Sequence, residues 1–185
     1  MRRIAFALVV LAVADGASGC TDSATIVPLL SAAGSPRTDT TTVPLEVVTR
    51  STAVRDPLPL RGTDVAYGDI EAGLGHAIST AAVPWADSHR THGTAKKGWQ
   101  LFVEVTNVDA TYEDRRVVFS VGVRATLRAR AGNVYLAQTQ ASCMQGGIAP
   151  PAGGAPIIYR CMMEVGHDLA GWLDGVDLDA VPARD

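Results

Sequence analysis

Residues 116 to 130 read RVVFSVGVRATLRAR, and the alternation in this stretch decides the fold. Val117, Phe119, Val121, Val123, Ala125, Leu127 and Ala129 fall on one side of it, while Arg116, Ser120, Arg124, Thr126, Arg128 and Arg130 fall on the other. Successive strand side chains point to opposite faces, so an unbroken period of two over this length predicts one long strand with a dry and a wet face. Such a strand belongs to an antiparallel sheet covered on one side only.

Strand signals flank it on both sides. Upstream, Trp99, Leu101, Val103 and Val105 alternate with Gln100, Phe102, Glu104 and Thr106, and the stretch from Asn107 to Asp114 is expected to turn the chain. Downstream, Ala131, Gly132 and Asn133 suit a tight turn because Gly and Asn tolerate positive φ, and Val134 to Cys143 returns as a further strand. A first strand is expected where Leu45, Val47 and Val48 stand in VPLEVVTR.

Two helices complete the set. Thr63 is expected to cap the first, with Asp64 in its opening turn and Tyr67, Ile70, Leu74, Ala77, Ile78, Ala81 and Trp85 forming an apolar stripe. Gly68, Gly73 and Gly75 each cost about 1 kcal/mol relative to Ala, so packing rather than propensity must hold it, and Pro84 is expected to end or kink it. Arg55 to Gly62 reads as a connection whose prolines interrupt any ladder, and the glycines and prolines of Gln145 to Pro156 read as a loop. Ile158, Cys161, Met162, Val165, Leu169, Trp172 and Leu173 mark the second helix. The fold class is α+β: a four-stranded, mostly antiparallel sheet with two helices packed on one face, in the order β-α-β-β-β-α.

The rest of the 185 residues organises around that domain, which spans 45–176 and leaves 177–185 as a frayed tail. The chain is 47% hydrophobic but 5% aromatic, and its formal net charge is -3. This suits one domain and excludes a polytopic membrane protein, a disordered chain and a nucleic-acid binder, which would need a clearly basic surface. Residues 21–44 are rich in Ser, Thr, Pro, Ala and Gly and read as a flexible tether. As a coil it would hold the domain about 25 to 30 Å from its start. A short docking segment at Ile26 to Leu30 is the alternative.

Met1, Arg2 and Arg3, followed by the apolar run from Ile4 to Ala14, form a signal-peptide pattern over residues 1–19, too short to span a bilayer. Ala17-Ser18-Gly19-Cys20 then resembles a bacterial lipobox. The resemblance implies cleavage before Cys20, diacylglycerol on its sulfur and a fatty acyl group, commonly palmitate, on the new N-terminus. Acyl anchoring through several chains is far firmer than the marginal binding of one. With Thr21 rather than Asp after the cysteine, it also implies the outer membrane facing the periplasm over inner-membrane retention. Ala17 and Gly19 equally satisfy the small-x-small rule of the general signal peptidase, which would leave Cys20 a thiol.

Candidate chemistry is sparse. Cys143 and Cys161 are expected to bond in an oxidising compartment, with two buried thiols as the alternative. Closing that loop would contribute about 3 kcal/mol in the chain-entropy model. Arg116, Arg124, Arg128 and Arg130 are a candidate anion-binding face for lipid headgroups or an acidic partner, against the plainer reading of a charged solvent face. Asp87, His89 and His92 put three ligand-type side chains in six residues, but their spacing matches no closed metal site, so a polar connection is expected and no metal or other cofactor. His76 and His167 are expected at the surface. There is no G-x-S-x-G, H-E-x-x-H or phosphate-cradling loop, and the reading is non-enzymatic.

A leader with a lipobox, a polar tether and a β-α-β-β-β-α domain together resemble the small envelope lipoproteins that assist lipid and lipopolysaccharide transport. These include the LptE-like assembly lipoproteins and the auxiliary lipoproteins of ABC-type transport systems. The resemblance implies a non-catalytic partner of an envelope complex, attached to the membrane through its lipid. The alternative is a periplasmic module that binds anionic lipid or glycan with the arginine face.

Overall fold

The computed structural model describes residues 24–29, 45–51, 54–89, 98–130 and 133–178. In chain order the elements are β1 (Thr25–Pro28), β2 (Leu45–Ser51), β3 (Leu58–Pro59), β4 (Val65–Gly68), α1 (Ile70–Ser88), β5 (Trp99–Glu113), β6 (Arg116–Ala129), β7 (Val134–Ile148), a 3₁₀ turn at Pro151–Gly153, and α2 (Ala155–Asp174). The principal sheet has the order β2-β5-β6-β7. β2 runs parallel to β5, and the β5–β6 and β6–β7 pairs are antiparallel.

β6 behaves as its alternation demands. Val117, Phe119, Val121, Val123, Ala125 and Leu127 are all buried, and both helices lie over that face. α1 contributes Ile70, Leu74, Ala77, Ile78 and Trp85, and α2 contributes Ile158, Met162, Val165, Leu169 and Leu173. Burying each Val, Leu, Ile, Phe or Met side chain among these is worth about 1.5 to 3 kcal/mol, so this single contiguous cluster is what the fold rests on. The expected four-stranded sheet with two helices on one face is the one observed.

Several elements differ from expectation. Thr63 caps no helix: its hydroxyl donates to the Leu60 carbonyl at 2.9 Å and accepts from the Val65 amide at 3.1 Å, closing a turn. The chain then forms β4, the middle strand of a second, three-stranded sheet in the order β1-β4-β3, and Tyr67 belongs to that strand. The helix starts only at Ile70, after Asp69 has adopted φ 63. It runs on through Pro84 to Ser88, because Trp85 and Ala86 are buried beyond the proline and keep that turn packed.

The stretch read first as a flexible tether contains β1, which pairs parallel with β4 and delivers a fully buried Leu29, so the alternative of a docking segment at Ile26 to Leu30 is the one observed there. The Arg55–Gly62 connection likewise contains β3, and Arg61 bridges Thr111 of β5. The expected turn from Asn107 to Asp114 is strand as far as Glu113. A bulge between Val105 and Asn107 switches the phase of the alternation, and the chain reverses at Asp114 and Arg115, with φ of 51 and 61. Both positive values mark the primed two-residue hairpin turn. Gly122 faces the bulge, where a Cβ would stand 2.0 Å from Asn107 Oδ1. β7 extends through Gly146 and Gly147 to Ile148, and α2 begins at Ala155, so little of the Gln145–Pro156 stretch is loop. Leu178, assigned to the tail, is buried. Residues 179–185 and most of the 1–44 segment lie outside the described residues.

The two helices approach closely where Gly166 faces α1. A Cβ there would lie 2.9 Å from the Ala77 carbonyl oxygen and 3.2 Å from Ala81 Cβ. Replacing glycine by alanine within a helix gains about 1 kcal/mol in propensity, and overpacking of this kind costs about 1 to 3 kcal/mol. Gly166→Ala is therefore expected to lower stability by about 1 kcal/mol in urea unfolding; an unchanged or raised midpoint would contradict this packing.

Candidate functional site

The wet face of the sheet is the surface on which the sequence concentrates its charge. The register sets Glu104 of β5 directly opposite Arg124 of β6, and the two pair at 3.5 Å. Arg130, just past β6, pairs with Glu46 of β2, which also accepts a 2.9 Å hydrogen bond from Gln100 Nε2. The Arg128 guanidinium lies 4.8 Å above the Phe102 ring and donates to Asn133 Oδ1 at 3.3 Å. Three of the four arginines thus have partners on the face itself. At about 3.4 Å per residue, Arg116 lies roughly 27 Å from Arg124, beside Glu113 at the far end of the ladder. The four cations form no single cluster. Half-exposed ion pairs of this kind contribute about 0 to 1 kcal/mol each, so they order the surface more than they stabilise it.

The opposite face carries the covalent link. Cys143 of β7 and Cys161 of α2 form a disulfide with their Cα atoms 5.6 Å apart. Both residues are buried, so the bond is shielded and ties the last strand of the sheet to the second helix. A 2.7 Å hydrogen bond from Gln145 Nε2 to Glu164 Oε2 joins the same strand and helix beside it.

A second junction involves Tyr67, which sequence periodicity misassigns to a helix. Its side chain is fully buried, and its hydroxyl donates to the Pro151 carbonyl and accepts from the Gly154 amide at 3.0 Å. That oxygen satisfies a free amide at the start of α2, so the small sheet fixes where the helix begins. Gly154 is required here, since a Cβ would stand 2.3 Å from the Tyr67 hydroxyl. Burial raises the Tyr67 pKa above its ordinary value of 10.0, with the Gly154 amide acting in the other direction.

The histidines are not brought together as ligands. His89 closes α1, stacks on Trp85 at 4.7 Å and places Nδ1 2.8 Å from the Trp85 carbonyl oxygen. Asp87 is exposed on the last turn of α1, and His92 lies outside the described residues. Among the described residues no group of three or more His, Cys, Asp or Glu is placed to hold a metal. The expected polar loop is helix up to Ser88, because Trp85 packs edge-on against Trp99 at 5.3 Å. His76 is half-buried, 6.5 Å from Tyr159, and His167 is exposed. Cys20 also lies outside the described residues. Among these residues no helix is long and apolar enough to cross a membrane.

No protein-family model and no curated protein matches the chain. Among solved structures it is similar to protein XCC0632 from Xanthomonas campestris, of family-model DUF330, at 14% identity and a TM-score of 0.45 over 69% of this chain and 81% of that one. It is also similar to a lipoprotein candidate from Caulobacter crescentus CB15, at 15% identity and a TM-score of 0.45 over 72% and 92% of the two chains. Lipoprotein GNA1162 from Neisseria meningitidis aligns at 16% identity and a TM-score of 0.30 over 80% and 99%. At these scores the likenesses assign no role.

Tyr67→Phe leaves the Pro151 carbonyl and the Gly154 amide without their partner, at an expected cost of about 1 to 3 kcal/mol. The folded phenol holds its proton above 10.0, so its contribution is complete below that pH and is lost as pH rises through the raised folded value. Urea midpoints measured from neutral pH upward should fall more steeply above 10.0 in the parent than in the Phe variant. Parallel curves would contradict the buried-phenol assignment.

Proposed function

We propose that the chain is a lipid-anchored protein of the bacterial cell envelope that works without turnover, as an accessory or assembly component of an envelope transport or lipid-trafficking system. The observation that carries this reading is the combination of a leader ending in Ala17-Ser18-Gly19-Cys20 with a buried Cys143–Cys161 bridge. Leader and disulfide point independently to export, because structural disulfides persist in oxidising compartments and are rare in the cytosol. The transport role rests on the layout of leader, tether and α+β domain. On the same resemblance the outer membrane, facing the periplasm, is the preferred site.

An alternative use of the domain, binding an anionic lipid or glycan through Arg116, Arg124, Arg128 and Arg130, has less support. Glu46 and Glu104 already compensate Arg130 and Arg124, and a bound anion would have to displace both carboxylates.

Two outcomes test these readings. Intact mass spectrometry of protein extracted from membranes should show acyl chains on Cys20 and the loss of both thiol hydrogens at Cys143 and Cys161, and Cys20→Ala should move the chain into the soluble fraction. An unmodified Cys20 in a soluble parent protein, or robust turnover on a generic hydrolase panel, would overturn the proposal. Arg124→Glu with Arg128→Glu is expected to leave retention on anionic phospholipid vesicles unchanged within twofold; a loss of tenfold or more would restore the anion-binding reading.

A further inference from the structure

The principal sheet ends on β7, and among the described residues no strand pairs with its outer side. Native edge strands deter pairing with charge, proline, bulges or brevity. β7 has a bulge near its start but none of the other devices. It runs 15 residues, VYLAQTQASCMQGGI, without one Asp, Glu, Lys, Arg, His or Pro. The opposite edge, β2, has 7 residues and carries Glu46 and Arg50. Three of the five exposed large apolar side chains of the described residues also lie on β7: Tyr135 at 57%, Met144 at 74% and Ile148 at 83%. The register places all three on the wet face, opposite Arg128, Ser120 and Arg116.

Their positions along the strand suggest the occupant. Tyr135 stands near the start of β7, whereas Met144 and Ile148 flank Gly146 at its end. Val118 borders the same glycine, 3.4 Å from where a Cβ would be. A two-fold axis through an antiparallel pair of identical strands sets each end of one copy against the opposite end of the other. With the axis at Ala141, Gln138 opposes Met144 of the second copy and Gln140 opposes Ser142, which keeps wet-face residues with wet-face residues. Leu136 is the extra residue where the β6–β7 register shifts, and that shift carries Tyr135 across the stretch from Gly146 to Ile148 of the other copy. A ring over a strand glycine between two aliphatic side chains is a favourable cross-strand arrangement. The Cys143–Cys161 bond holds the middle of β7 to α2, so the edge is presented without further ordering cost.

We propose that β7 is a self-complementary interface, pairing antiparallel with β7 of a second copy of this chain to join two four-stranded sheets into one. The two strands would lie together over as much as about 50 Å. Each copy would cover its three exposed apolar side chains with those of the other. The inference rests on β7 alone and is independent of the envelope reading.

Light scattering on the full chain, purified in a mild detergent and read across a dilution series, is expected to give twice the mass of one copy. Gln140→Lys with Ser142→Lys sets like charges across the axis and should halve that mass, with far-ultraviolet circular dichroism unchanged. Mixing this variant with Gln140→Glu plus Ser142→Glu should restore the twofold mass. If the Lys pair fails to fold, Met144→Lys with Ile148→Lys, at two strongly exposed positions, is read in its place and should likewise halve the mass. A parent with the mass of one copy would overturn the proposal, as would a folded Lys variant that keeps the double mass or a charge-opposed mixture that stays apart.

Discussion

Everything in this molecule depends on covering one face of β6. Val117, Phe119, Val121, Val123, Ala125 and Leu127 form an unbroken apolar row along the strand, which is flanked by β5 and β7 over nearly its whole length. Neither helix would be stable alone. α1 carries Gly73 and Gly75 and a proline, and α2 opens on Gly154 with no side-chain cap. Each becomes stable by lying on that row and on the other helix, and the glycines that weaken them in isolation allow the approach: Gly73 meets Met162 and Gly166 meets the Ala77 carbonyl. Low intrinsic helicity is therefore the condition for close packing here.

The parts of the fold that were legible are those in which one period runs unbroken. β6 and the stripe of α2 could be read because their burial follows a single alternation along the whole element. The parts that were misread are those in which tertiary contact replaces local pattern. Tyr67 falls in phase with the α1 stripe, yet it is a strand residue whose hydroxyl serves a helix 87 positions away from it. The bulge at Val105 to Asn107 shifts the alternation of β5 by one, so the second half of the strand looked like a turn. The hairpin that follows uses Asp114 and Arg115 instead of the Asn-Gly or Asp-Gly pairs that announce such turns. β1 and β3 have too few residues to show any period.

The wet face shows the same division. The arginines of β6 form a visible row in the sequence, but their partners Glu104 and Glu46 lie on β5 and β2 and become neighbours only through the sheet register. A single strand read alone exaggerates the charge of a sheet surface. Once the neighbouring strands are set in register, the patch becomes a set of compensated pairs, and the uncharged β7 next to them is the more distinctive surface. The disulfide was legible from cysteine arithmetic, and its structural effect is to fix that uncharged strand to the helical layer.

β1 changes the mechanics of any anchor at Cys20. A tether reaching to Leu45 would let the domain range through a wide volume, but pairing of Thr25–Pro28 with β4 puts the folded body no more than five residue steps from Cys20. At no more than about 3.6 Å per residue, that leash reaches about 18 Å, similar to the radius of a domain of this size. A lipid on Cys20 would then hold the body against the bilayer with one side turned toward it, and the strand order would determine which surfaces face outward. Confinement of this kind would raise the effective concentration toward a neighbour in the same leaflet and lower it toward anything beyond that membrane.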